Sequence, residues 1–442
     1  MAVMGGIVGS GIFINPYVVA SLLHSRFLIL AAWVVGGVFA MLGACIYAEL
    51  AARLPKVGGQ YAYLREALHP LLAFLFGWSF LLVIGAGGTA VVAVTCAKYI
   101  RQGILIPLPE NILAVVVVLA LVTINCLGVR VGSGVQSLLM VLRIFAIALI
   151  VTGGFWFLAR SHGAASVALT SGLDQPLSFG LLSTFGAAMV PVLFAYAGWE
   201  TSNYIAVEIR DPRKNLPLAL ILGVVGVLAL YLSVNIVYVQ VLGAAGLAST
   251  DTPASAVMSR IFGAAGARVI GLAIVISTLG FLSQAMLTHP RLYFAMAGDK
   301  GLPARFAQIS PRSRVPIFSI LLQGGVTSTV VLLGTYEQIL SYVVVLDWLF
   351  FGLTAACLFP LRRRDRLVAQ SEAASVPAYR VPGHPWTTGL FVVAAGVMVL
   401  NTIYKYPRNA GIAVCILLAG IPFYFLSRRR SLPPGNAPED LP

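Results

Sequence analysis

Two stretches of this chain set small and polar residues inside long apolar runs. The first is Gly5-Gly6-Ile7-Val8-Gly9-Ser10-Gly11-Ile12-Phe13. The second is Phe194-Ala195-Tyr196-Ala197-Gly198-Trp199-Glu200-Thr201-Ser202-Asn203. Such residues interrupt a helix, and an interruption leaves C=O groups at the end of one half and N–H groups at the start of the next. In apolar surroundings both sets need partners. The N–H groups, at a positive dipole end, suit a carboxylate. The C=O groups suit an ammonium. The chemistry these residues can do is therefore recognition of small charged groups by backbone, without bond making. For the first stretch alone, glycine-mediated helix packing is the competing reading.

Arg143, Glu200, Glu49 and Asp347 are charges set within apolar runs. Arg143 stands about ten residues inside the run 134–158, roughly 14 Å of helix from its edge, farther than a snorkelling side chain reaches. It should face the interior of a helix bundle, as a fixed cation at a site or as a packed structural residue. A guanidinium does not deprotonate at physiological pH, so Arg143 carries no proton. Glu200 lies in the second interruption and has two readings, a site carboxylate or an acceptor that holds the interruption open. Glu49 reads as half of a structural ion pair. Asp347 is isolated and either answers Arg143 or faces the pathway. His24, His69, His162, His289 and His384 are placed at run ends or loops, without metal spacing. Cys45, Cys96, Cys126, Cys357 and Cys415 sit in or beside apolar runs with no short spacing, so neither a disulfide framework nor a metal motif follows. There is no Ser/His/Asp set and no nucleotide-binding loop. The expectation is a protein that is not an enzyme, with no cofactor, no metal and no catalytic residues.

The elements that must position these residues follow from composition. Of 442 residues, 59% are hydrophobic and only 10% charged, and the mean hydropathy is +0.93. That leaves too little polar surface to wrap a soluble core, and disorder is excluded for the same reason. The surplus must face lipid. Twelve runs are read as spans: 1–23, 27–52, 70–100, 111–127, 134–158, 179–207, 217–242, 265–297, 315–334, 338–360, 386–404 and 409–427. The longest connections are 159–178, 243–264 and 361–385, and 428–442 is a short tail. The net charge of +14 comes from 29 Lys and Arg against 15 Asp and Glu. With the amino terminus inside, twenty of the basic residues fall in inner segments and eight in outer ones, with Arg143 within a span. The split places both termini in the cytoplasm. Nucleic acid is not an expected partner. The two interruptions each open one half of the chain, a pattern of inverted-repeat transporters: 1–158 (spans 1–5) and 179–360 (spans 6–10), with 386–427 (spans 11 and 12) added.

Four ordered blocks carry a family resemblance. GIVGSGIF resembles the span 1 break of the amino acid–polyamine–organocation superfamily. Leu54-Pro55-Lys56-Val57-Gly58-Gly59-Gln60-Tyr61-Ala62-Tyr63 resembles its loop between spans 2 and 3. FAYAGWETSN followed by Glu208-Ile209-Arg210-Asp211-Pro212-Arg213-Lys214-Asn215-Leu216-Pro217 resembles its span 6 and the next loop. Arg291-Leu292-Tyr293-Phe294-Ala295-Met296-Ala297-Gly298-Asp299-Lys300-Gly301-Leu302-Pro303 resembles the end of its span 8. The pattern is most like the L-type and bacterial amino acid permeases and exchangers. Three departures stand out. Met1 lies eight residues before Gly9, so the first span is expected to be short of a whole one. Val207-Glu208 replaces a usual Glu-Glu. Arg143 stands where a lysine is usual.

The resemblance implies an all-α polytopic membrane protein with a five-plus-five inverted repeat and discontinuous helices 1 and 6. It implies alternating-access transport of amino acids across the cell membrane. The expected mode is sodium-independent exchange or facilitated permeation of neutral L-amino acids. A proton-coupled amino acid or polyamine symporter is the alternative, and a transporter-like amino acid sensor is the alternative class. The substrate carboxylate is expected on Gly9, Ser10, Gly11 and Ile12, and its ammonium on the carbonyls of Phe194, Ala195 and Tyr196, with Gly198 leaving room. Trp199, Glu200 and Asn203 complete the expected site. Arg143, with Ser277 and Thr278, is expected where sodium-coupled relatives hold an ion. The lipid bilayer and a small amino acid are the expected partners; no covalently attached subunit is.

Overall fold

The computed structural model describes residues 2–54, 58–104, 107–128, 133–160, 178–200, 211–299, 301–368 and 379–429. In chain order the helices are α1 (Ala2–Ile7), α2 (Gly11–Leu23), α3 (Arg26–Arg53), α4 (Gln60–Ala67), α5 (Pro70–Ser79) and α6 (Gly85–Ile104). They continue as α7 (Glu110–Cys126), α8 (Ser133–Arg160), α9 (Phe179–Tyr196), α10 (Pro212–Ala248) and α11 (Pro253–Gly298). The last are α12 (Ile317–Leu333), α13 (Tyr336–Ala356), α14 (Leu358–Val368), α15 (Trp386–Lys405) and α16 (Pro407–Arg429). Among the described residues nine helices are long and apolar enough to cross a membrane. Gly11–Leu23, Glu110–Cys126 and Ile317–Leu333 are shorter apolar helices that complete the expected twelve. Large apolar side chains such as Leu222, Leu272, Val393 and Leu400 stay exposed along these helices. In a soluble protein that would be a liability; here it is the lipid face.

Local sequence explains where several helices begin. Ser25 and Ser178 accept the N–H groups of Leu28 and Leu181. Thr335 and Gln338 form a reciprocal capping box at the start of α13, which satisfies two donors that the first turn leaves open. The first span is broken as expected. α1 ends at Ile7, residues 8–10 are non-helical, and α2 restarts at Gly11. At 13 residues, α2 is only about 20 Å long, so it crosses roughly two thirds of a ~30 Å hydrocarbon core. α1 supplies part of the remainder. α9 likewise ends at Tyr196, inside the run 179–207.

Three connections are more ordered than their composition implies. The stretch expected as a connection at 243–264 is largely helical, with α10 running on to Ala248 and α11 starting at Pro253. The chain turns at Gly243 (φ 73°) and Gly263 (φ 67°), inside those helices. α4 occupies the link between spans 2 and 3, and α14 extends beyond span 10. The third span also departs from a plain α-helix. Phe80–Ile84 winds as a π-turn between α5 and α6, a distortion that often marks a functional position.

α2 packs on α9 and α10, α1 on α10, and α3 on α9 and α10. The two broken spans therefore sit side by side, backed by α3 and α10. Ion pairs close the bundle at the end where α3 finishes. Glu49, fully buried, accepts from Arg53 (Nε 2.9 Å, Nη2 2.7 Å), from Arg362 (Nε 2.9 Å, Nη2 2.6 Å) and from the Val381 amide at 2.6 Å. Arg53 also donates to Asp365. The expected structural pair at Glu49 is thus a network joining α3, α14 and the segment before α15. Beside it, Asp299 accepts from Arg65 and from the Tyr61 hydroxyl, the latter at 2.9 Å. Burial, and then the Asp299 carboxylate, push the Tyr61 phenol well above its usual range, so it remains a donor.

Candidate functional site

The two helix interruptions meet backbone to backbone. Gly198 has φ +104°, a conformation L side chains rarely adopt, and a Cβ there would run into the carbonyl of Gly6. A Cβ on Gly11 would lie 2.7 Å from the Cα of Ala195 and 2.8 Å from its Cβ. Only glycine permits so close an approach of two chains. The freed groups of the first interruption have specific partners. The Ile7 carbonyl accepts from the Gly9 amide at 2.7 Å and from the Tyr231 hydroxyl at 3.1 Å. The Val8 carbonyl accepts from Arg143 Nη1. At the start of α2, the first N–H groups have no intrahelical acceptor, and Ser10 makes no side-chain cap. The Ser10 hydroxyl is itself buried without a hydrogen-bond partner among the described residues.

Arg143 is 3% exposed. Its Nε donates to Ser277 Oγ at 2.7 Å and its Nη2 to the Ser277 carbonyl at 3.0 Å. It thereby ties α8 to α11 and to the break after α1. Thr278, expected beside it, turns its hydroxyl to the Ile274 and Val275 carbonyls of its own helix, both at 2.9 Å. At the second interruption the Gly198 amide donates to Glu200 Oε2 at 2.9 Å. Glu200 therefore accepts from a backbone amide of the interruption itself. The Phe194 carbonyl, expected to be open, accepts from the Ala197 amide at 3.2 Å.

A cavity of about 100 Å³ lies where these parts converge. Of the expected site residues, Gly9, Ser10, Gly11, Phe194, Ala195, Gly198 and Glu200 line it. Ile12, Tyr196 and Trp199 do not line it. Ile12 is fully buried. The Tyr196 ring packs between Trp33 and Tyr231, and its hydroxyl donates to the Trp33 carbonyl at 3.1 Å. The Trp199 ring sits edge-on to Tyr47, centroids 4.6 Å apart, and against Phe351. Both aromatics are turned away from the cavity because α3 and α13 offer apolar surface for them. Asn203, like Glu208, lies outside the described residues.

The wall also holds residues that the sequence reading placed elsewhere or passed over. Phe80, Ile84 and Gly85 reach it from the π-turn and the start of α6, and Phe281 reaches it from α11. Asp347, from α13, faces this cavity, and the bonds described above for Arg143 go elsewhere. His289 is not interfacial as expected. It lies within α11, lines the cavity, and pairs through Nδ1 with Gln323 Nε2 at 2.7 Å. It is residue 37 of the 46 in α11 and stands eight residues inside the end of the run 265–297, too deep for the membrane edge. Two larger cavities, about 650 and 370 Å³, lie among helix ends and along α12, α13 and α16. Neither includes a residue of the two interruptions.

On the side of the cavity toward Leu23, α2 is tied in place by side chains. Asn15 Nδ2 donates to the Pro191 carbonyl at 2.6 Å, and the Tyr336 hydroxyl donates to Asn15 Oδ1 at 2.7 Å. The Tyr99 hydroxyl donates to the Phe13 carbonyl at 2.8 Å. With the Glu49 and Asp299 contacts at the opposite end, the cavity is braced on both sides.

A sequence model of the amino acid permease family matches residues 1–424, nearly the whole chain. The chain belongs to this family. Among its relatives is the serine/threonine exchanger SteT of Bacillus subtilis (strain 168), 27% identical over 97% of this chain and 95% of the relative. The human b(0,+)-type amino acid transporter 1 is 30% identical over 96% of this chain and 85% of its own length. The mouse large neutral amino acids transporter small subunit 2 is 30% identical over 96% and 78%. An amino acid permease with two facing helix interruptions is an all-α polytopic membrane protein and not an enzyme. The cavity between the interruptions is lined by residues of both.

Proposed function

We propose that this permease moves L-amino acids across the cell membrane by alternating access, as a sodium-independent exchanger or facilitator. The observation that carries the reading is the contact of the two interruptions, Gly198 on Gly6 and Gly11 on Ala195, with one cavity lined by both. The substrate carboxylate takes the amides at the start of α2 and the free Ser10 hydroxyl. The ammonium takes the carbonyl of Ala195 at the end of α9. These groups read the zwitterion and leave the side chain to Phe80, Phe281, Glu200 and Asp347. Neutral side chains come only from the family resemblance; the wall holds carboxylates as well as rings.

Arg143 supports sodium independence and exchange. It occupies the gap between the span 1 break and Ser277 with a permanent positive charge, leaving no need for a metal cation there and no titrating group. Residues 1–158 and 179–360 form the two repeats in this reading, with spans 11 and 12 added. Both termini lie in the cytoplasm, in keeping with twenty basic residues inside and eight outside. Cys415, the exposed cysteine, lies within α16, and this reading includes no disulfide-linked subunit.

The test is flux in proteoliposomes, using a panel of labelled amino acids with and without internal amino acid. Saturable uptake that rises with internal amino acid and ignores sodium and pH gradients is expected. Absence of uptake for every amino acid would sink the transport reading and favour a sensor. Uptake that requires a proton gradient would favour the symporter alternative.

A further inference from the structure

Glu200 and Asp347 bring two carboxylates into one small cavity in the membrane interior. Glu200 comes from the interruption after α9 and Asp347 from the middle of α13, and both line the same space. Asp347 is 8% exposed, and among the described residues no hydrogen bond or ion pair reaches it. Among the described residues no lysine or arginine lines the cavity. His289 supplies no charge as bonded: with the Gln323 amide as donor, Nδ1 accepts, the ring proton sits on Nε2 and the imidazole is neutral.

A buried carboxylate without a partner is expensive in a low-dielectric interior. A proton or a cation can relieve it. Three features favour a cation. Glu200 already accepts the Gly198 N–H at 2.9 Å, a bond that an ionised carboxylate makes best. Both carboxylates open on a cavity of about 100 Å³, room that a bound proton does not require and a cationic group does. Phe80 and Phe281 present rings in the same wall, and aromatic faces attract cations when both are desolvated.

We infer that Glu200 and Asp347 form a subsite for the cationic end of the substrate side chain, so that this permease prefers dibasic amino acids to neutral ones. The inference rests on the zwitterion site proposed above and departs from the neutral side chains that the family resemblance implies. The α-carboxylate and α-ammonium stay with the two helix ends. The side chain then extends toward α13, where its ammonium meets Asp347 and approaches Glu200. Neutral amino acids of the same length leave both carboxylates unanswered and bind less tightly.

Lysine and norleucine differ chiefly by the terminal ammonium, so their uptake ratio in proteoliposomes at pH 7.5 reads the subsite directly. The wild-type protein should take up lysine, and ornithine likewise, with an apparent affinity about tenfold or more better than norleucine, the size expected of a charge-assisted hydrogen bond. Asp347→Asn should collapse the lysine-to-norleucine ratio, whatever its absolute rate. Asp347→Glu should restore part of that ratio. Wild-type uptake of norleucine at least as good as that of lysine would overturn the subsite while leaving amino acid transport standing. So would an Asp347→Asn protein that keeps the lysine preference but changes its pH profile, because the pair would then hold a proton. No uptake of any amino acid would overturn the transport reading and the subsite together.

Discussion

Arg143 Nε lies 2.7 Å from Ser277 Oγ, and the same guanidinium donates to the carbonyl of Val8 in the span 1 interruption. One buried side chain thus fastens α8, α11 and the broken first span to one another. Placing an arginine near the bilayer centre costs about 2.5–3.5 kcal/mol on insertion scales. The bonds to a hydroxyl and two carbonyls offset that cost, and one of them occupies the Val8 carbonyl, which a straight helix would have satisfied internally.

Arg143→Gln should therefore cost most of the uptake, because the Val8 carbonyl loses its charged donor. Arg143→Lys keeps a cation only while protonated. Its uptake should fall as pH rises, whereas the wild type should show no such dependence from this position. Initial-rate measurements between pH 5.5 and 8.5, with equal external and internal pH, read the difference. A flat profile for Arg143→Lys would show that the charge at this site is not what matters.

Glu200→Gln should preserve the second interruption, since an amide oxygen can still accept the Gly198 N–H, while Glu200→Ala should not. A hydrogen bond to a charged group contributes about 1.5–3 kcal/mol, and Glu200→Ala removes the one to the Gly198 amide. Thermal unfolding in detergent should place Glu200→Ala clearly below both the wild type and Glu200→Gln. Equal midpoints for the two variants would mean that the carboxylate does not hold the break.

Glu49 is the hub of the ion-pair network at the end of α3. Glu49→Ala leaves Arg53 and Arg362 without their shared acceptor and the Val381 amide unpaired. Breaking such a buried pair costs about 3–5 kcal/mol. A marked loss of thermal stability is expected, larger than for Asp365→Ala, whose side chain is 41% exposed in its pair with Arg53. Comparable midpoints for the two variants would place the network on the surface energetically.

Most of the helical layout is readable from the sequence because lipid imposes a simple rule. Every spanning segment must be long, apolar and internally hydrogen-bonded, so runs of hydropathy map onto helices, and Gly9-Ser10 and Gly198 stand out as exceptions. Arg143 is legible for the same reason, as a charge with no way to reach water. Side-chain direction is not legible in this way. Tyr196 and Trp199 sit within the interruption in sequence, yet their rings turn to Trp33, Tyr231 and Tyr47, because packing surfaces on other helices decide where an aromatic goes. His289 and Asp347 reach the cavity through the rotation of α11 and α13. The π-turn at Phe80–Ile84 adds to the same effect in span 3. Periodicity in an all-apolar helix is too weak to fix those rotations.

The contact between the two interruptions is the centre of the account, and Gly11 tests it most directly. Gly11→Val places a branched side chain where even a Cβ would sit 2.7 Å from the Cα of Ala195. Labelled amino acid uptake by Gly11→Val in proteoliposomes, beside a check that the protein remains monodisperse in detergent, is the decisive measurement. A folded protein with uptake at background is the expected result. Uptake at the wild-type level would contradict a substrate site built where helices 1 and 6 break.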